Sequence, residues 1–317
     1  MGRLILTRVG VGLLLLAAAS ILIFLGVAAL PGDAAQSALG QQATPALLHQ
    51  LRHDFGLDRP LLTQYWDWLS GFAHGDLGRS LPSGQPVSDV VGDKLRNSAV
   101  LAGLTLLVLI PLSVVLGVLT ATWRGGPLDH ATAGTTLALI STPEFVVGTL
   151  LAVVLGVWLG WFQPVSLIDS SRPVLDQLSA FMLPLLALLA ATSAQTIRMV
   201  RTGVMEELDS EYVQFARLKG ASERRVLVSH VLPNSVGPTI QILAFNAAWL
   251  VGGIVVIENV FQFPGLGSTL TFAVQSRDLP TVQAIAMLIA LVYVVLFLLA
   301  DVAGILANPR LRRGSVR

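Results

Sequence analysis

SAVLAGLTLLVLIPLSVVLGVLTATW, residues 98–123, runs for 26 residues without a charged side chain. A helix needs about 20 predominantly apolar residues to cross roughly 30 Å of hydrocarbon, so this stretch is long enough to span a bilayer. Five further apolar blocks of similar length accompany it, at 9–30, 131–160, 177–200, 236–257 and 281–306. The composition agrees: of 317 residues, 54% are hydrophobic and 12% charged, with a mean hydropathy of +0.73. A soluble domain carries about twice that charge fraction. The expected fold is all-α, a polytopic membrane protein with six transmembrane helices.

The block at 9–30 follows Arg3 and Arg8, as a signal peptide would. It is longer than the 7–15 apolar residues typical of a cleaved leader, so it is read as a retained first span. Six spans place both termini on one side. The segments on that side hold 13 of the 20 Lys and Arg residues: Arg3, Arg8, Arg124, six between 198 and 225, and Arg310, Arg312, Arg313 and Arg317. Basic residues concentrate in short cytoplasmic segments, so the expected orientation has cytoplasmic N- and C-termini.

This divides the chain into a cytoplasmic N-terminus with the first span (1–30), an extracytoplasmic region (31–97), a five-helix core (98–306) with a cytoplasmic loop at 198–235, and a cytoplasmic tail (307–317). Within 31–97, Leu47, Leu48, Leu51 and Phe55 predict one short amphipathic helix. Leu61, Leu62, Tyr65, Trp66, Leu69 and Phe72 predict another. The rings of Tyr65, Trp66 and Trp68 suit either the headgroup level or an external partner.

Several chemistries are excluded. Cysteine is absent, so there is no disulfide, thiolate or cysteine-ligated metal. His49, His53, His74, His130 and His230 all fall outside the spans, against a buried serine–histidine hydrolase or an intramembrane histidine metal site. Neither Lys94 nor Lys219 completes a phosphate-binding loop, and the glycine pair in FPGLGS (263–268) reads as a turn. A net charge of +1 does not point to nucleic acid. Glu144, Glu258 and Asp301 lie in or near spans, which keeps a proton-coupled secondary transporter as an alternative. Pro111, Pro143 and Pro184 predict kinks in three spans.

Between two of these blocks the chain turns polar. Residues 198–225 carry six basic and five acidic side chains. At about 2.5 kcal/mol per charge at the bilayer centre, burying them would cost on the order of 25 kcal/mol. The segment therefore lies outside the membrane. Tyr212, Phe215, Ala216 and Lys219 nonetheless keep helical spacing, and Gly220 supplies a stop. A second short helix, pairing Leu227 with Val231 and Val228 with Leu232, is expected to end at Pro233. Two readings remain open: a helix resting on anionic lipid, or a docking helix for a cytoplasmic partner.

The residues 211–234, EYVQFARLKGASERRVLVSHVLPN, resemble the cytoplasmic loop of permease subunits of binding-protein-dependent ABC importers, whose motif is E-A-A-x-x-x-G-x9-I-x-L-P. Gly220 takes the glycine position and Leu232-Pro233 the final pair, while Gln214-Phe215-Ala216 and His230 depart from the pattern. EYVQFARLKG is similar to the D-Y-V-R-T-A-R-A-K-G version of the dipeptide, oligopeptide and nickel branch. GLDRPLLTQYWDWL (56–69), GDLGRS (75–80), STPEFVVGTLL (141–151), VVIENVFQFPGLGSTL (255–270), RDLPTVQ (277–283) and DVAGILANPRLR (301–312) resemble the same branch, so the likeness covers nearly the whole chain.

The resemblance implies a type I importer permease in a bacterial or archaeal inner membrane. It implies a second homologous permease, two ATPase subunits that bind ATP and Mg, and an extracytoplasmic solute-binding protein. No cofactor belongs to this chain, which is itself non-catalytic. By position, Tyr212, Ala216, Arg217, Lys219, Gly220 and Ala221 would meet the ATPase. Gln241, Asn246 and Glu258 are candidates for the translocation path. The expected solute is a di- or oligopeptide, with nickel, haem or another small solute as the alternative.

Overall fold

A computed structural model describes residues 2–29, 36, 44–56, 58–169 and 171–307, apart from the side chains at 2–5, 51, 54, 236–242, 244 and 303–307. The tail from 308, with its four arginines, and the Gln241 side chain therefore lie outside the described residues.

The described residues form helices and no strand, though an isolated antiparallel bridge pairs Arg79 with Pro86. In chain order the helices are α1 (Gly2–Ala28), α2 (Pro45–Asp54), α3 (Leu61–Ala73), α4 (Val87–Thr122), α5 (Pro127–Ile140) and α6 (Glu144–Leu151). After a wide π-helical stretch at Ala152–Trp158 and a short 3-10 turn at Val174–Gln177 come α7 (Leu178–Leu208), α8 (Glu211–Leu218) and α9 (Glu223–Val226). A second π turn, Leu227–Val231, leads into α10 (Leu232–Val260), followed by α11 (Leu266–Gln275) and α12 (Leu279–Ala307).

Four helical stretches are long and apolar enough to cross a membrane: Leu6–Ala28, Val87–Thr122, Val174–Leu208 and Leu279–Val302. A fifth crossing requires α5 and the Glu144–Trp158 helix to be counted together, although they meet at 106°. The single straight span expected at 131–160 is thus replaced by two helices that meet at a sharp bend. Pro143 has no N–H to continue α5 and takes an extended conformation (φ −57°, ψ 140°), so the helix restarts at Glu144 in a new direction. In α10 the apolar run among described side chains is Phe245–Val260.

The other two prolines leave their helices continuous, α4 through Pro111 and α7 through Pro184. Pro184 cannot donate to the Ala180 carbonyl one turn earlier, and the Ser166 hydroxyl donates to that carbonyl instead, at 2.8 Å.

Helix α7 is the centre of the bundle. Its Phe181, Leu183, Ala187 and Leu188 are fully enclosed, packing with Leu101 and Leu109 of α4 and with Leu250 and Ile257 of α10. Lipid tails are as apolar as leucine, so close packing and satisfied polar groups must hold such helices together. Buried hydroxyls accordingly bond back within their own helix, as Thr192 does to Leu188 O at 2.7 Å and Thr196 to Thr192 O at 2.7 Å.

At one end of the bundle α3 lies against α1. The Tyr65 and Trp68 rings sit 5.4 and 6.1 Å from that of Phe24, and the Tyr65 hydroxyl lies 2.9 Å from Ser20 Oγ. Of the three rings flagged in the sequence, Trp66 alone is turned outward, at 58% exposure. The other two serve as packing.

Candidate functional site

The polar insert forms a small, well-anchored cap at the opposite end. Ser210 and Ser222, both in extended backbone, precede α8 and α9. Between the two helices the chain reverses at Gly220, whose φ of +82° is a conformation open to glycine at no steric cost. The Gly220 N–H donates to Arg217 O at 2.9 Å and the Ala221 N–H to Ala216 O at 3.1 Å. This pair of bonds is the Schellman end of a helix, which satisfies carbonyls that would otherwise be orphaned.

One face of α8 is committed to the chain itself. Val213 is fully buried with Val200 and Val204 of α7, Val226 of α9 and Val231, and Ala216 and Ala221 pack on this cluster. The opposite face is bare: Phe215 is 62% and Leu218 83% exposed. Lys219 and Gly220 are exposed beside them. Sequence spacing grouped Tyr212, Phe215, Ala216 and Lys219 on one face, whereas the structure separates inward Ala216 from outward Phe215. The anchor, Val213, and the most exposed apolar side chain, Leu218, were not singled out by that spacing.

Tyr212 is a strut. Its hydroxyl donates to Glu207 near the end of α7, accepts from Asn234 Nδ2 at 3.1 Å, and lies 3.2 Å from the His230 carbonyl. Burial and the adjoining Glu207 carboxylate both push the phenol above its ordinary pKa, so it stays protonated and able to donate. Removing this hydroxyl in Tyr212→Phe leaves the ring but unties the two flanking helices. The expected result is about 1 kcal/mol of destabilisation, read as a lowered Tm, with unchanged membrane insertion.

Arg217 and Glu223 clasp the turn from both sides through paired hydrogen bonds of 2.9 and 3.0 Å. The guanidinium holds the Glu223 carboxyl below its usual value, and Glu223 in turn raises Arg217. A depressed carboxyl contributes above its unfolded pKa and loses its effect as pH falls through the folded one. The clasp is therefore intact at neutral pH and opens only in acid below the ordinary carboxylate range. Further back, Arg201 of α7 forms two bonds to Asp129 of α5, at 2.8 and 2.9 Å. Arg124 and Asp209 lie 3.6 Å apart.

The second short helix does not stop at Pro233. Pro233 falls in the first turn of α10, where a missing N–H leaves no bond unmade, and the π turn carries α9 directly into α10.

Two of the path candidates are engaged inside the chain. The Asn246 side chain donates to Thr196 Oγ1 at 2.9 Å, and Asn246 is 5% exposed. Glu258 is 0% exposed and accepts from Ser98 Oγ at 2.5 Å, Gly267 N–H at 2.6 Å and Ser268 N–H at 3.3 Å. Ser98 Oγ also accepts from the Leu266 N–H at 2.8 Å, and the neighbouring Asn97 donates to Pro264 O at 2.9 Å. The glycine pair read as a turn is thus the approach to and first turn of α11, wrapped around a buried carboxylate. A Cβ at Gly265 would stand 2.0 Å from Glu258 Oε1, and one at Gly267 2.4 Å from Val255 Cα.

Comparison with known proteins agrees with this architecture. Residues 113–313 match the family described as binding-protein-dependent transport system inner membrane component, and residues 1–104 match its N-terminal companion family. The chain belongs to that family. A Brucella abortus (strain 2308) chain provisionally named a peptide transport system permease protein is 34% identical over 312 residues, covering 98% of this chain and 99% of the relative. The glutathione transport system permease protein GsiC of Pectobacterium atrosepticum is 34% identical over 294 residues, covering 92% and 93%. That of Escherichia coli (strain K12) is 33% identical over 293 residues, with the same coverage. In this family member the matched segment 113–313 contains the whole of α7 to α11.

Proposed function

We propose that the chain is one permease subunit of an ATP-driven importer of di- or oligopeptides. Six spans are provided by α1, α4, the bent α5–α6 pair, α7, α10 and α12, in a type I importer arrangement with both termini in the cytoplasm. A homologous permease completes the path, a solute-binding protein delivers the peptide from outside, and two ATPase subunits bind ATP and Mg. This chain performs no catalysis. The observation that carries the reading is the bare Phe215 and Leu218 surface on a helix held by Val213, Tyr212 and the Arg217–Glu223 clasp. Such a helix offers an apolar surface and can transmit a push.

In this reading Tyr212 and Arg217 keep the helix rigid, while Lys219, Gly220 and the exposed side chains meet the ATPase, with Ala216 and Ala221 beneath. Asn246 and Glu258 brace the walls of the path rather than line it. The relatives named for peptide and for glutathione transport support a peptide as solute, since glutathione is itself a tripeptide. The test is peptide uptake in cells lacking each candidate ATPase in turn and then all of them. The importer reading expects uptake to vanish with the cognate ATPase; uptake that survives removal of all of them refutes it. Calorimetry on the cognate binding protein then defines the peptide.

A further inference from the structure

Helix α7 is the most enclosed of the long helices, yet one stripe of it is open. Gln195, Arg198, Met199, Thr202 and Glu206 are exposed at helical spacing, while Thr196, Ile197, Val200 and Val204 beside them are buried. The stripe borders two cavities, of about 440 and 600 Å³, which share Arg198 and Thr202 and so form one groove. The far wall of the groove is α5, with His130, Thr132 and Leu137.

Two arginines one turn apart enter this groove in different states. Arg201 is neutralised by its two bonds to Asp129, which also fix α5 against α7 and so set the width of the groove. Arg198 is exposed and forms no ion pair among the described residues. An unpaired guanidinium on a spanning helix faces a water-filled cavity or reaches for a phosphate at the membrane surface. Gln195 decides between these. It lies about 4.5 Å further along the helix, on the side toward the bundle centre, where a lipid-facing amide would be unsatisfied.

We propose that Arg198, flanked by Gln195 and Thr202, is a station on the translocation path that binds the C-terminal carboxylate of the passing peptide. A guanidinium meets a carboxylate with two parallel hydrogen bonds, and the amide and hydroxyl can hold the adjoining peptide group. The station rests on the peptide-importer reading above and adds to it the part of the solute that this subunit recognises.

The test uses the complete transporter in nanodiscs without binding protein, labelled by a tripeptide carrying a photoreactive benzophenone side chain. The probe is made with a free C-terminal carboxylate and as its amide, and labelling of α7 is mapped by mass spectrometry. The native complex is expected to label more with the acid than with the amide. Arg198→Gln should reduce labelling by the acid about tenfold and leave labelling by the amide unchanged, with Arg198→Lys intermediate. Equal labelling of native and Arg198→Gln complexes by the acid overturns the station but leaves the importer reading standing. Failure of both probes to label the native complex likewise overturns the station, while the importer reading stands or falls by the uptake test above. An effect of Arg198→Gln that appears only in nanodiscs containing phosphatidylglycerol assigns the guanidinium to lipid, and loss of the sister permease on purification assigns it to the subunit interface; either result also overturns the station.

Discussion

Gly220→Trp is expected to abolish ATP-driven uptake by the assembled transporter while the chain still inserts and assembles. The reason lies in what surrounds Gly220. A Cβ built there meets nothing within 4 Å in this chain, so an indole would project into the space that a docked ATPase would occupy. The backbone at φ +82° does penalise any side chain, by about 1–2 kcal/mol for an L-residue in the left-handed region. That penalty is separable from the steric one. Gly220→Asn places a residue that tolerates this conformation, and Gly220→Ala imposes the strain without the bulk. Uptake close to native in the Asn variant, reduced in the Ala variant and absent in the Trp variant would locate the effect at a contact. Normal uptake and normal stimulation of ATP hydrolysis in the Trp variant would show that this face touches nothing.

Glu258→Ala should cause the largest loss of stability of any single change at the α10–α11 junction. The carboxylate satisfies the Ser98 hydroxyl and the Gly267 and Ser268 N–H groups, in a site with no exposure to solvent. An orphaned buried donor costs about 1–3 kcal/mol, so the two N–H groups left once the Ser98 hydroxyl rotates to another partner amount to roughly 2–6 kcal/mol. Glu258→Gln keeps one acceptor oxygen in the same volume and should lose about 1–2 kcal/mol. Thermal unfolding of the purified transporter should rank native above Gln above Ala. If Ala and native unfold at the same temperature, water reaches the site and the carboxylate is not the brace described.

The two sites differ in how far the sequence discloses them. The helix ending at Gly220 is legible because its signals are local: helical spacing, a glycine stop, and charges that cannot be buried. Which face of that helix turns inward is not local. It depends on Val200, Val204, Val226 and Val231, which come from either side of α8 and meet around Val213. Glu258 looks like a polar residue near the end of a span until Ser98, 160 positions away, is brought beside it. The prolines make the same point. Pro143 and Pro184 carry identical local instructions, but Ser166 completes the helix at Pro184, while at Pro143 the chain turns away.

The continuity of α9 into α10 through the π turn has a mechanical consequence. With Tyr212 tying Glu207 to Asn234, the insert behaves like the web of a crank joining two stiff shafts, α7 and α10. A load on α8 would rotate or tilt both shafts together instead of folding the web. Compliance would then have to come from elsewhere, and the 106° break between α5 and α6 is the natural joint, because α5 is riveted to one shaft by Asp129 and Arg201 while α6 packs against both.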